Sequence, residues 1–269
     1  LKNIRRFVLK TTKEDYFTII PNKLFYSASA NEYSIFKLVN DAKVVLVFDY
    51  FYTNMNRHKE IKFTIEDMVS SCGYIPNANA GRINSQFKKI IVTLYKNKLI
   101  KFKCKDKFIE FEQDNNIDFN IEKIRYTQLY TCTLNIDLSL KFIQLYEKEK
   151  SIILDFKDTD QKMKIDNTKL LLYYCYIKSR VYKRNKDDDI QISGGRAEVA
   201  YPSFNTIYKD LHFTDKTIKK YNDLLVKLDM IRYDNAGLWY YKNDKNKIVR
   251  ESVNFYTLFY GNEDIAKKI

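Results

Sequence analysis

The chain has 269 residues, of which 45% are apolar, and a formal net charge of +13. That length is too great for one small core and suits two domains of roughly 100–150 residues each. The charge favours a polyanionic partner, nucleic acid ahead of an anionic membrane surface, and no apolar run reaches the roughly 18–20 residues of a bilayer span.

Leu1 is not an initiator methionine, which points to residues ahead of this numbering, and no secretory signal is visible. The stretch Leu1 to Tyr26 reads as β-rich and stops at Pro21. Asp41 opens an apolar run, Ala42 to Met55, with Val44, Val45, Phe48, Phe51 and Tyr52 as its inner face. Thr64 is the expected N-cap of a helix over Ile65 to Ser71. Glu66 and Asp67 suit the dipole of its first turn, and Gly73 is a left-handed stop.

A third helix is expected over Gly81 to Asn97. Ile83, Phe87, Ile90, Ile91 and Leu94 would be buried, with Arg82, Ser85, Gln86, Lys89, Thr93 and Lys96 opposite. Leu99 to Lys103 and Phe108 to Phe111 flank Cys104 to Lys107 as a hairpin. On it Lys101, Lys103, Lys105 and Lys107 alternate and share a side. The connector starts with a polar segment, Gln113 to Asn120. It continues with a strand-like Arg125 to Ile136 and a helix over Asp137 to Lys150 with Leu138, Phe142 and Leu145 inward. Whether it is a spacer or a dimerisation surface stays open.

Asp166-Asn-Thr-Lys169 starts a stretch with a long helix through Leu172, Tyr173, Tyr176, Ile177 and Val181. The loop Arg184 to Tyr201 carries Lys186 to Asp189 and Ser193-Gly-Gly-Arg196. After Pro202, Ser203 caps a helix over Phe204 to Leu211, and His212-Phe213 is a short connection. Thr214 or Asp215 then opens a helix to about Leu228. Ile218, Tyr221, Leu225 and Leu228 would be inward, and Lys216, Lys219, Lys220, Asn222, Asp223 and Lys227 outward. Met230 to Tyr233 and Leu238 to Lys242 around Asp234 to Gly237 read as a hairpin decorated by Arg232, Lys242, Lys245 and Lys247. Val249 to Tyr260 is expected to return against a core.

The order helix, helix, helix, basic hairpin therefore occurs twice. A helix-turn-helix followed by a hairpin is a winged helix, whose second helix enters the major groove. The expected fold class is α+β, mostly helical, with two tandem winged-helix domains over 1–120 and 165–269 and a connector over 121–164. The expected DNA contacts are Arg82, Asn84, Ser85, Gln86 and Lys89 on the first helix, and Thr214, Lys216, Thr217, Lys219, Lys220 and Lys227 on the second. To these the wings add Lys101, Lys103, Lys105, Lys107, Arg232, Lys242 and Lys245.

Enzymatic readings fare poorly. The two histidines, His58 and His212, form no His-x-His metal pair, and Ser193 to Arg196 lacks the Gly-Lys-Ser/Thr end of a phosphate loop. Cys72, Cys104, Cys132 and Cys175 lie far apart, which suits a reducing cytoplasm rather than a zinc site. No catalysis, metal or other cofactor is expected.

The segments Tyr16-Phe-Thr-Ile-Ile-Pro-Asn-Lys-Leu-Phe25 and Asp41-Ala-Lys-Val-Val-Leu46, within a basic tandem winged-helix chain of this size, resemble the N-terminal winged helix of plasmid replication initiators and related phage proteins of low-GC Gram-positive bacteria. The resemblance implies binding to direct or inverted repeats of double-stranded DNA at an origin, homodimers, and recruitment of host replication proteins. A transcriptional or conjugation regulator and a protein-interaction module of a replisome or relaxosome stand as the alternatives.

Overall fold

A computed structural model describes residues 16–27, 32–76, 82–104, 107–109, 123–136, 141–157, 165–181, 200–242 and 248–258. The chain has an α+β fold with small antiparallel sheets. It divides into two compact units, one of Thr18–Gln144 and one of Leu145–Ile269 with Leu1–Phe17. The division between the units falls between Gln144 and Leu145, within the span expected as a connector, 121–164. No helix among the described residues is long and apolar enough to cross a membrane.

In the first unit, β1 (Phe17–Pro21) ends at the proline and pairs with a late strand described below. The short helix α1 (Ile35–Val39) was not legible in the sequence. Ser34 caps it, and Asn40, at φ 51°, ends it. The apolar run yields α2 (Val44–Thr53), buried on every side from Val44 to Phe51. Burial there includes Asp49, whose carboxylate accepts from Thr18 Oγ1 at 2.6 Å. A hydrogen bond of this kind is what allows a charged group inside a core.

The strand β2 (Glu60–Phe63) was likewise unforeseen. The helix α3 (Ile65–Ser71) has the expected Thr64 cap, with the Asp67 N–H donating to its hydroxyl at 3.0 Å. Gly73 follows in the left-handed region at φ 79°. Then come α4 (Arg82–Lys96), β3 (Ile100–Cys104), β4 (Lys107–Ile109) and β5 (Tyr130–Leu134). The sheet order is β2-β5-β3-β4, all antiparallel. Phe51, Phe63, Phe102 and Tyr130 join their rings at centroid distances of 5.9–6.1 Å beneath it. Burying each such ring stabilises the unit by about 1.5–3 kcal/mol.

The expected β3–β4 hairpin exists, but β3 is an inner strand with β5 on its other side. The helix expected over Asp137 to Lys150 is replaced by β6 (Phe142–Tyr146), the partner of β1, followed by α5 (Glu147–Leu154). The apolar positions Ile143 and Leu145 alternate along β6 and are buried, and Phe142 is exposed, so period two wins over the helical pattern. Leu138 and Gln113 to Asn120 lie outside the described residues.

In the second unit, Asp166 caps α6 (Asn167–Arg180), a helix buried continuously from Leu170 to Ser179. Ala200 forms a single bridge to Tyr256. Ser203 caps α7 (Phe204–Leu211), accepting from the Thr206 N–H at 3.2 Å, and His212, at φ 57°, ends it. The next helix, α8 (Asp215–Lys227), follows at once. A single long strand comes next, β7 (Ile231–Lys242), paired with β8 (Ile248–Leu258).

The hairpin turn expected at Asp234 to Gly237 is therefore wrong. The ladder runs past it, with a register shift between Asn235 and Leu238. Val249 to Tyr260, expected to return against a core, forms the partner strand as far as Leu258, with Tyr256, Thr257 and Leu258 buried. A pairing from Ile231↔Leu258 to Lys242↔Ile248 satisfies far more backbone groups than two four- or five-residue arms closing on each other. Apart from Ala200 and Tyr201, the loop Arg184 to Tyr201 lies outside the described residues.

The two units share one order. In the first, α2, β2, α3, α4, β3 and β5 follow one another, and β5 pairs with both β3 and β2. In the second, α6, Ala200, α7, α8, β7 and β8 do so, and β8 pairs with both β7 and Ala200. The counterpart of β8 is thus β5, with β4 an addition.

Candidate functional site

Two helices carry the cationic residues, and each is fixed from beneath. On α4, Phe87, Ile90, Ile91 and Leu94 are buried, while Arg82, Ser85, Lys89 and Lys96 are exposed. Its sequence contains no carboxylate. Arg82 and Lys89 meet no anionic partner among the described residues. Lys88 is turned aside, donating to the Ile124 carbonyl at 3.0 Å.

Asn84 is not on this exposed face. It is 0% exposed, and neither end of its amide finds a partner among the described residues. Its position, three before Phe87 and seven before Ile91, places it on the apolar stripe. Gln86 is half-buried with its Oε1 enclosed.

On α8, Ile218, Leu224 and Leu225 are buried, while Lys216, Lys219, Asp223 and Lys227 are exposed and Lys220 half-exposed. Lys216, Lys219 and Lys220 have no ion-pair partner among the described residues. Lys227 lies over the Phe156 ring at 5.9 Å. Thr214 is the N-cap, accepting from the Thr217 N–H at 3.4 Å, and the two hydroxyls stand 3.1 Å apart.

Asn222, expected to face outward, is 0% exposed. It accepts from the Tyr173 hydroxyl at 2.7 Å, and its Nδ2 donates to the Tyr256 hydroxyl at 3.4 Å. Burial pushes Tyr173 well above the ordinary tyrosine range and Tyr256 up to about 12. Both hydroxyls are therefore neutral and free to hydrogen-bond in this way.

The strands differ more from expectation. Lys101 is half-buried. Lys103 pairs with Glu60 at 3.1 Å, so it does not belong to an open basic ribbon. The hydrogen bond from Lys103, with another from Asn56, lowers the Glu60 carboxyl from its usual range. Lys107 and Lys242 stand in β4 and β7. Arg232 pairs with Asp229 at 3.1 Å, next to its own strand. Lys105, Lys245 and Lys247 lie outside the described residues.

Sequence reasoning passed over the exposed side of α7. Asn205, Tyr208 and Lys209 are exposed there, and Tyr208 stacks edge-on to His212 at 6.2 Å. Helical spacing opposite Ile207 and Leu211 was the signal for them. Among the described residues, no group of His, Cys, Asp and Glu stands close enough to hold a metal ion. Chemically, the α4 face presents Arg82 and Lys89 without an acid on the helix, and the α8 face presents Lys216 and Lys219 beside the exposed Asp215 and Asp223; a face with an excess of cations attracts anions. No protein-family model matches the chain, and no curated protein matches it in sequence.

Proposed function

We propose that the chain binds double-stranded DNA through two winged-helix units and acts, without catalysis, as a replication initiator at repeated origin sequences. The order helix, strand, helix, helix, strand, strand in the first unit, with the last strand joining the first, and helix, bridge at Ala200, helix, helix, strand, strand in the second, support the winged-helix reading. In such a unit the second helix of the helix-turn-helix pair is the one that enters the groove, and here that is α4 or α8.

The observation that carries the reading is the set of exposed cations on those two helices that meet no anionic partner among the described residues: Arg82 and Lys89 on one, and Lys216 and Lys219 on the other. The initiator role rests on the resemblance of the Tyr16 to Phe25 and Asp41 to Leu46 segments. Recruitment of host replication proteins and dimerisation follow from that role.

Fluorescence anisotropy of the full chain against a labelled duplex tests the binding. The wild type binds at moderate salt, while Lys216→Glu with Lys219→Glu, and Arg82→Glu with Lys89→Glu, each lower the affinity at least tenfold. Undiminished affinity in both double variants would sink the reading. An adjacent array of short direct repeats, footprinted by the protein, favours initiation over transcriptional regulation.

A further inference from the structure

We infer that the two helices divide the work: α4 reads bases, with Arg82 as the principal reader of guanine, and α8 anchors phosphates. The inference rests on the duplex-binding reading above and assigns separate tasks to its two helices.

Side chains discriminate bases chiefly through forked pairs of hydrogen bonds, Arg to the O6 and N7 of guanine and Asn or Gln to adenine. Lysine, serine and threonine serve mainly to hold phosphates. By this criterion α8 is poorly equipped. It has no arginine or glutamine, and its one asparagine, Asn222, is sealed beneath the helix with its amide engaged by two tyrosines. What it exposes is lysine, with Thr214 at its cap. Its first turn also carries Asp215, an anion at the end that approaches the groove.

The situation on α4 is reversed. No acid stands in its first turn or anywhere along it. Arg82 is its first residue, exposed, with a guanidinium that meets no carboxylate among the described residues. Ser85 and Lys89 follow at three and seven residues, on the same side of the helix. The other two candidate readers are removed by burial, Asn84 completely and Gln86 at its carbonyl oxygen. Arg82 is left as the side chain with forked donors at the base-proximal end. The substrate class implied is a duplex with a guanine in the major groove at the position facing α4.

The test uses the full chain and a duplex selected by it from a random pool, compared with a scrambled duplex over a range of salt. Arg82→Lys keeps the charge and loses the fork. It lowers the ratio of selected to scrambled affinity roughly five- to hundredfold, with the salt slope unchanged. Lys216→Gln with Lys219→Gln weakens both duplexes in parallel, leaves the ratio intact, and reduces the slope of log K against log salt by about 1.8. A ratio unaffected by Arg82→Lys, or one that collapses in the lysine variant, overturns the division. A wild-type chain that binds no duplex overturns the underlying reading and this one with it, and that result is distinct from either.

Discussion

The Tyr173 hydroxyl on α6 donates to Asn222 Oδ1 on α8 at 2.7 Å, wholly within the second unit's core. Through it, and through the bond onward to Tyr256, α8 is registered against both its supporting helix and its strand. Asn222→Ala leaves two buried hydroxyls without this partner and costs about 2–3 kcal/mol. Tyr173→Phe added to it costs less than the sum of the single changes, because the two residues share one bond. Urea unfolding of the four species checks both statements.

Glu149 and Lys178 form a second buried anchor, with side chains 1% and 5% exposed and oxygens 2.6 and 2.7 Å from the ammonium. Tyr174 also donates to Glu149, and the Tyr146 ring lies 4.9 Å from the Lys178 nitrogen. Removing one partner strands the other charge in the core, so Glu149→Gln or Lys178→Met lowers stability by about 3–5 kcal/mol. Glu149→Met combined with Lys178→Met recovers much of that loss, since the desolvation cost of both ions disappears. Thermal or urea denaturation of the three variants measures it.

The caps separate folding from binding at Thr214. Thr214→Ala removes the acceptor for the Thr217 N–H and destabilises α8 by about 1 kcal/mol. Thr214→Asp restores the cap while placing a second acid at the start of α8. It therefore keeps the unfolding midpoint near wild type while weakening duplex binding, as paired denaturation and anisotropy measurements would show.

Burial holds Tyr256 up to about 12, and burial together with the Asp166 charge does the same for Tyr221. Unfolded, both titrate near about 10. Above that pH the unfolded chain gives up these protons first, so its free energy falls relative to the fold. The contribution is whole below about pH 10 and is lost as pH rises towards about 12. Urea midpoints taken across this window fall with pH, and Tyr256→Phe or Tyr221→Phe flattens the decline.

Where a side chain declares a helix boundary, the sequence was legible. Thr64, Ser203, Thr214 and Asp166 mark starts that the fold adopts. Gly73 marks a stop in the same way. The alternation at Ile143 and Leu145 was masked by residues that also suit a helix. The five residues of α1 and four of β2 are too few to show a period. At Asp234 to Gly237 local turn chemistry pointed one way, and the longer ladder with β8 pulled the other. The pairing of Lys103 with Glu60 depends on the register β2-β5-β3, which no local pattern encodes.

For the candidate site, the exposed lysines were readable because they sit opposite apolar stripes. The buried asparagines were readable in principle, too. Asn222 lies four after Ile218 and three before Leu225, which is core spacing. Polarity outweighed position in the expectation, whereas in the fold the Asn222 amide is hydrogen-bonded inside.

Lysine acetylation of the full chain, read by mass spectrometry with and without bound duplex, tests the central claim most directly. Lys89, Lys216 and Lys219 are exposed, so acetylation of all three is the expected result for the protein alone. With duplex bound, the account predicts that all three become protected. Unchanged labelling of all three while the duplex stays bound would contradict it.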